Sequence, residues 1–120
     1  MPNLTRVAPE IPVAGMSEAL EYYESQLGFE VVMQMPEGDY AIVARDDVSL
    51  HLFEDRPRDL SPVSFQIFVD GLDELYSEFQ SRGAKMVQSI VLKPWGNRDF
   101  RVADPSGNEL KFSEPMGDED

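Results

Sequence analysis

Arg98-Asp99-Phe100-Arg101-Val102-Ala103-Asp104-Pro105-Ser106-Gly107-Asn108-Glu109-Leu110-Lys111-Phe112-Ser113 decides the fold. Phe100 and Val102 alternate with polar neighbours, as a half-buried strand requires. Asp104 to Asn108 is a turn by composition: Asp, Ser and Asn bond their own backbone, proline presets φ, and glycine accepts positive φ. Leu110 and Phe112 resume the alternation beyond it. The stretch is a hairpin with one apolar face. It cannot bury that face alone, so its partners lie upstream.

Working back, Trp95-Gly96-Asn97 is a turn, and Lys85 to Val91 is extended. Gly83 stops a helix whose core face is Leu72, Leu75 and Phe79, with Asp70 placed to cap its start. Ser64 to Val69 is a strand with Phe65, Ile67 and Val69 on one side. The same order, strand, helix, strand, strand, strand, fills the first half. Ala8 to Val13 is extended, and its two prolines put it at an edge or in an arm. Met16, Ala19, Leu20, Tyr23 and Leu27 follow the helical spacing, with Gly15 or Ser17 at the start and Gly28 at the end. Phe29 to Met35, Tyr40 to Arg45 and Val48 to Phe53 are the next strands, parted by turns at Pro36 to Asp39 and Asp46-Asp47. Pro57 to Pro62 is the midpoint connector.

Two copies of a unit that cannot bury its own face predict an α+β fold of two βαβββ modules with pseudo-two-fold symmetry. The first module is placed at 5–56 and the second at 62–114, in one domain over 1–116 with an acidic tail at 117–120. Ile11, Val13, Leu50, Leu52, Phe65, Ile67, Val69, Phe100, Val102, Leu110 and Phe112 share the face expected under the helices. Glu10, Ser49, His51, Phe53, Ser64, Gln66, Phe68, Arg101, Lys111 and Ser113 share the opposite face. That face is too polar for a core and too aromatic for plain surface, so it is the candidate cleft.

The chain has 120 residues and no cysteine, which excludes disulfides, thiolate catalysis and cysteine-held metals. The lack of cysteine fits a reducing cytoplasm, the expected location. Met1 to Val7 has no apolar run, so no signal peptide or membrane anchor is expected. A net charge of −13, from 23 acidic and 10 basic residues, repels phosphate backbones and excludes nucleic acid as the expected partner. The same field draws small cations, although charge of this kind also serves solubility. Nucleophile motifs and phosphate-binding glycine loops are absent.

Ser17 to Phe29, an aromatic-rich helix ending in Leu-Gly-Phe, resembles the first helix of the glyoxalase/bleomycin-resistance/dioxygenase, or vicinal oxygen chelate, superfamily. Pro94 to Asn108 resembles that superfamily's late hairpin, and Ser81-Arg82-Gly83-Ala84 is similar to the end of its second helix. The resemblance covers nearly the whole chain. It implies a cup-shaped mixed sheet with the helices on its outer face, often assembled as a homodimer. It also implies metal-ligand positions, which fall here on Ala8 or Pro9, His51, Ser64 and Lys111. Only His51 among them suits a metal, and Lys111 puts an ammonium where a carboxylate belongs. A set of His51, Glu10 and Gln66 is the substitute to test. A lone His on a strand is otherwise a hydrogen-bonding group. No catalytic residue, metal ligand or cofactor is therefore assigned.

Ligand contacts are assigned to His51, Phe53, Ser64, Gln66, Phe68, Trp95, Arg101 and Lys111: aromatic walls for area, polar groups for orientation. Tyr22 and Tyr23 lie on the helix and read as packing. Trp95 either caps the sheet or edges the cleft. Two functions follow from the resemblance. One is a metal-independent binder of a small organic ligand, resembling the metal-free bleomycin-resistance branch, with a cationic antibiotic as candidate. The other is a metal-dependent lyase, isomerase or dioxygenase using His51.

Overall fold

The hairpin built on the Asp104 to Asn108 turn is present. In the computed structural model, which describes residues 1–54 and 61–115, β7 (Asn97–Ala103) and β8 (Glu109–Pro115) pair antiparallel, with Phe100 opposite Phe112 and Val102 opposite Leu110. The other elements are β1 (Glu10–Val13), α1 (Met16–Ser25), β2 (Glu30–Gln34), β3 (Tyr40–Arg45), β4 (Val48–Glu54), β5 (Ser64–Phe68), α2 (Leu72–Arg82) and β6 (Lys85–Leu92). The fold is α+β with two similar modules. Each is a four-stranded sheet, ordered β1-β4-β3-β2 in the first and β5-β8-β7-β6 in the second. β1 runs parallel to β4, and β5 to β8; the remaining pairs are antiparallel. The proline-bearing β1 lies at a sheet edge, where a missing N–H is tolerated. Most of the midpoint connector and the acidic tail fall outside the described residues.

Period-two alternation turns Ile11, Val13, Leu50 and Leu52 of one sheet, and Phe100, Val102, Leu110 and Phe112 of the other, into a single apolar core. Tyr23 and Leu27 from the first helical segment, with Leu72 and Phe79 from α2, complete it, all fully buried. The Phe100 and Phe112 rings stack at 5.4 Å, and Phe79 meets Phe112 edge-on at 5.2 Å. Burial of each such side chain contributes about 1.5–3 kcal/mol.

Each helix also bonds to the other module's hairpin. Tyr22 donates from its hydroxyl to the Ala103 carbonyl at 2.7 Å, and Tyr23 to the Asp104 carboxylate at 2.9 Å. Burial, with the Asp104 charge, pushes both phenols above their ordinary pKa. Across the other seam, Arg45 at the end of β3 makes a two-pronged ion pair with Glu78 of α2, at 2.8 and 3.0 Å, and also donates to the Leu27 carbonyl.

The start of α2 corrects one expectation. Asp70 does not cap it: the cap position is Gly71, at φ 90, with no side-chain cap bond. Glu114, at the end of β8, accepts from the Gly71 and Leu72 N–H groups instead, at 3.1 and 3.2 Å. The left-handed conformation at Gly71 starts the helix one residue late, and the parallel β5–β8 pairing brings a distant carboxylate over the open amides. These two backbone donors, then Arg98, hold the Glu114 carboxyl below its ordinary pKa of 4.5. Arg45, then Arg82, does the same for Glu78.

A folded-state pKa below the unfolded one gives stability that is full above the unfolded value and is lost as pH falls through the folded one. Glu114→Gln should therefore be less stable than the parent at about pH 6–7, and the gap should close below about pH 4.5. Thermal melts of both proteins across this range check it. Comparing the pair cancels the general relief of repulsion as the other carboxylates protonate. A gap that stays constant with pH would rule out the charged cap.

Candidate ligand-binding site

Because Leu50 and Leu52 enter the core, His51 and Phe53 point the other way from β4. His51 lies in register between Glu10 of β1 and Ile42 of β3. Its Nδ1 is 2.7 Å from the Tyr40 hydroxyl, and the two rings meet edge-on at 5.8 Å. Phe53 is in register with Pro12 on one side and Tyr40 on the other. The first module thus presents a half-buried His–Tyr pair beside a phenylalanine.

On the second sheet, the face away from the core carries three cross-strand rows: Phe68–Ser113–Asp99, Gln66–Lys111–Arg101 and Ser64–Glu109–Ala103. The Ser113 hydroxyl donates to Gln66 Oε1 at 2.7 Å. Arg101 pairs with Glu109 at 3.1 Å. Lys111 is half-buried and makes no ion pair among the described residues. Asp99 is fully buried: Oδ1 accepts from the Gln88 amide at 2.8 Å and lies 3.4 Å from the Lys93 ammonium, while Oδ2 has no partner among the described residues. Lys93 in turn sits 5.9 Å from the centre of the Trp95 ring, which is 67 % exposed. Trp95 therefore does not cap the core; it stands at the rim of this face.

The eight residues assigned from the sequence divide into two groups. Ser64, Gln66, Phe68, Arg101 and Lys111 share the second sheet, with Trp95 on the loop before β7, whereas His51 and Phe53 belong to the first sheet. Among the described residues, one concavity takes Phe68 among its walls and another takes none of the eight. Tyr40, Gln88, Lys93, Asp99 and Glu109 were missed. For Asp99 the signal was present, since it lies two residues before Arg101 and so on the same face. Tyr40 needed the β3–β4 register, which periodicity does not supply.

The donor set does not fit a divalent metal. Lys111 stands between Gln66 and Arg101, Ser64 faces Glu109, and the Gln66 oxygen is already engaged. Among the described residues no three His, Asp or Glu side chains come together as ligands. No described helix is long and apolar enough to cross a membrane.

The model of the Glyoxalase/Bleomycin resistance protein/Dioxygenase superfamily matches residues 4–112. A bleomycin resistance protein of Geobacillus stearothermophilus is 31% identical over 125 residues, spanning 87% of this chain and 92% of that one. A bleomycin resistance determinant encoded on the transposon Tn5 superposes with a TM-score of 0.82 at 24% identity, over 93% of this chain and 98% of that one. The bleomycin-binding protein of Streptomyces verticillus, solved with copper(II)-bleomycin, gives 0.75 at 22% identity, over 98% of this chain and all of that one (100%). From its hairpin to its paired modules, then, the chain belongs to the Glyoxalase/Bleomycin resistance protein/Dioxygenase superfamily.

Proposed function

We propose that the chain is a metal-independent small-molecule-binding protein of the bleomycin-resistance type, which sequesters an antibiotic in the cytoplasm within a cleft shared by two copies. The observation that carries this reading is the outward face of the second sheet. Exposed aromatics, Trp95 and Phe68, border polar rows in which Arg101 is paired and Lys111, among the described residues, is not. Aromatic area with a few convergent polar groups is the usual composition of a site for a planar or heterocyclic ligand. Similarity to bleomycin resistance proteins along most of the chain selects bleomycin as the first ligand to try. The lyase and dioxygenase reading needs a Lewis acid, and the donors are the wrong ones for it.

Two copies are proposed because neither sheet face is closed within one chain. The edge strands β2 and β6 carry exposed Val32, Val87, Val91 and Leu92, and the arm before β1 carries exposed Leu4 and Val7. Apolar surface of this kind on a free edge favours association. Light scattering at micromolar concentration is expected to give twice the chain mass of 13.6 kDa; a monomer mass would remove the shared cleft.

Titration with bleomycin is expected to change the fluorescence of Trp95, the only tryptophan, and to release or absorb heat in calorimetry. Trp95→Ala should weaken binding by about tenfold or more, as for a central aromatic anchor. No heat and no fluorescence change at high micromolar drug would reject this ligand. One first-row metal per purified chain would return the enzyme reading.

A further inference from the structure

The two seams between a helix and the opposite hairpin are built differently. At the first, the five-residue turn from Asp104 to Asn108 reaches the β1–α1 junction: Ser106 Oγ accepts from the Ala14 N–H at 2.9 Å, and the Asn108 amide donates to the Pro12 carbonyl at 2.8 Å. At the second, the β3–β4 turn is only Asp46 and Asp47, and Phe79 occupies the helix position that Tyr23 has in α1. Among the described residues no hydrogen bond joins this shorter turn to the β5–α2 junction. The missing turn residues leave a cavity of about 420 Å³.

Its walls are apolar within and acidic at the mouth. Phe29, Val48, Ile67 and Val69 line it. Asp46, Asp47, Asp70, Glu74 and Glu78 face it against a single cation among the described residues, Arg45, whose guanidinium is committed to Glu78. We propose that this cavity is a second ligand site, distinct from the outward sheet face, and that it takes a small organic cation. The ammonium lies at the carboxylate mouth and the apolar body against the inner walls. The volume falls in the range of small-ligand sites. An anion of the same shape meets several carboxylates and is excluded. The overall charge of −13 raises the local concentration of cations around such an opening.

The test is an NMR titration of isotope-labelled chain with benzyltrimethylammonium, and separately with benzoate. Saturable shifts of the Asp46, Asp47, Val69, Asp70 and Glu74 amides are expected with the cation and not with benzoate. The double variant Asp47→Asn, Asp70→Asn keeps side-chain shape and should weaken the cation about fivefold, because each exposed charge contributes modestly. Raising salt should weaken it in the parent more than in the variant. Shifts confined to the outward sheet face, equal shifts with benzoate, or unchanged affinity in the double variant would each overturn the proposal. Bleomycin titration of the same variant, read by Trp95 fluorescence, should match the parent. Failure of the second site is thereby separated from failure of the first.

Discussion

Asp104→Ala is expected to destabilise the protein by about 3–5 kcal/mol, the range for breaking a buried polar network. Asp104 is 2 % exposed, and both its oxygens are used twice. Oδ1 accepts from the backbone N–H groups of Ser106 and Asn108, each at 2.9 Å. Oδ2 accepts from the Tyr23 hydroxyl and the Asn108 side-chain amide, again at 2.9 Å. Asn108 is itself buried; its amide donates to the Pro12 carbonyl, and its oxygen accepts from the Val63 N–H at 2.9 Å. One carboxylate thus joins the turn, α1, β1 and the approach to β5. Alanine leaves the buried Tyr23 phenol and the buried Asn108 backbone N–H without an acceptor, and the Asn108 side-chain amide with one bond in place of two. Tyr23→Phe removes one partner and leaves the carboxylate its other three, so it should cost only about 1 kcal/mol. Urea denaturation of both variants measures this, with an unchanged m-value as the sign that the fold is intact. An Asp104→Ala loss below about 1 kcal/mol would mean that the turn does not hold the modules together.

How far the sequence carries this reading depends on the range of each interaction. Within one element the signal is local. Phe100-x-Val102, Leu110-x-Phe112 and Leu50-x-Leu52 place their strands and core faces by alternation alone, and Leu72, Leu75 and Phe79 do so for α2 by helical spacing. The repeat of that order is what made two modules legible, and both are present. What escaped depends on contacts between distant positions. Asp70 has the right chemistry to cap α2, yet Glu114 does so from the far end of the chain. Arg45 and Glu78 carry no local mark of their pairing. For the site, alternation correctly turned His51, Phe53, Gln66, Lys111 and Arg101 away from the core, but it says nothing of which sheet each belongs to. Two sheets that share one core and present separate outward faces look, in a list of alternating residues, like a single cleft. The cavity at the second seam was invisible for another reason: it follows from a turn that is too short to fill a space, and only comparison with the longer turn of the other module reveals it.

Phe79→Ala is expected to cost about 3–5 kcal/mol, as large aromatic-to-alanine changes in a close-packed core do. The ring is fully buried, 5.2 Å from Phe112 and 6.0 Å from Phe100, and the Arg45 guanidinium lies 6.0 Å from its centre. It is the point where α2, the β7–β8 hairpin and the end of β3 meet. Its removal takes away transfer energy, two aromatic contacts and the surface on which the Arg45–Glu78 pair rests. Little can collapse into the gap, because Phe112 is held by its stack on Phe100 and by the parallel β5–β8 register. Phe79→Leu keeps most of the volume and should cost about half as much or less. The comparison with α1 sharpens the expectation. At the matching position, Tyr23→Phe loses a hydrogen bond but no packing, so it should cost far less than loss of the Phe79 ring. In thermal melts the alanine variant should lose roughly 10–20 °C. A fall of only a few degrees would show that α2 packs on its own sheet without depending on this ring, and the single core spanning both modules would have to be given up.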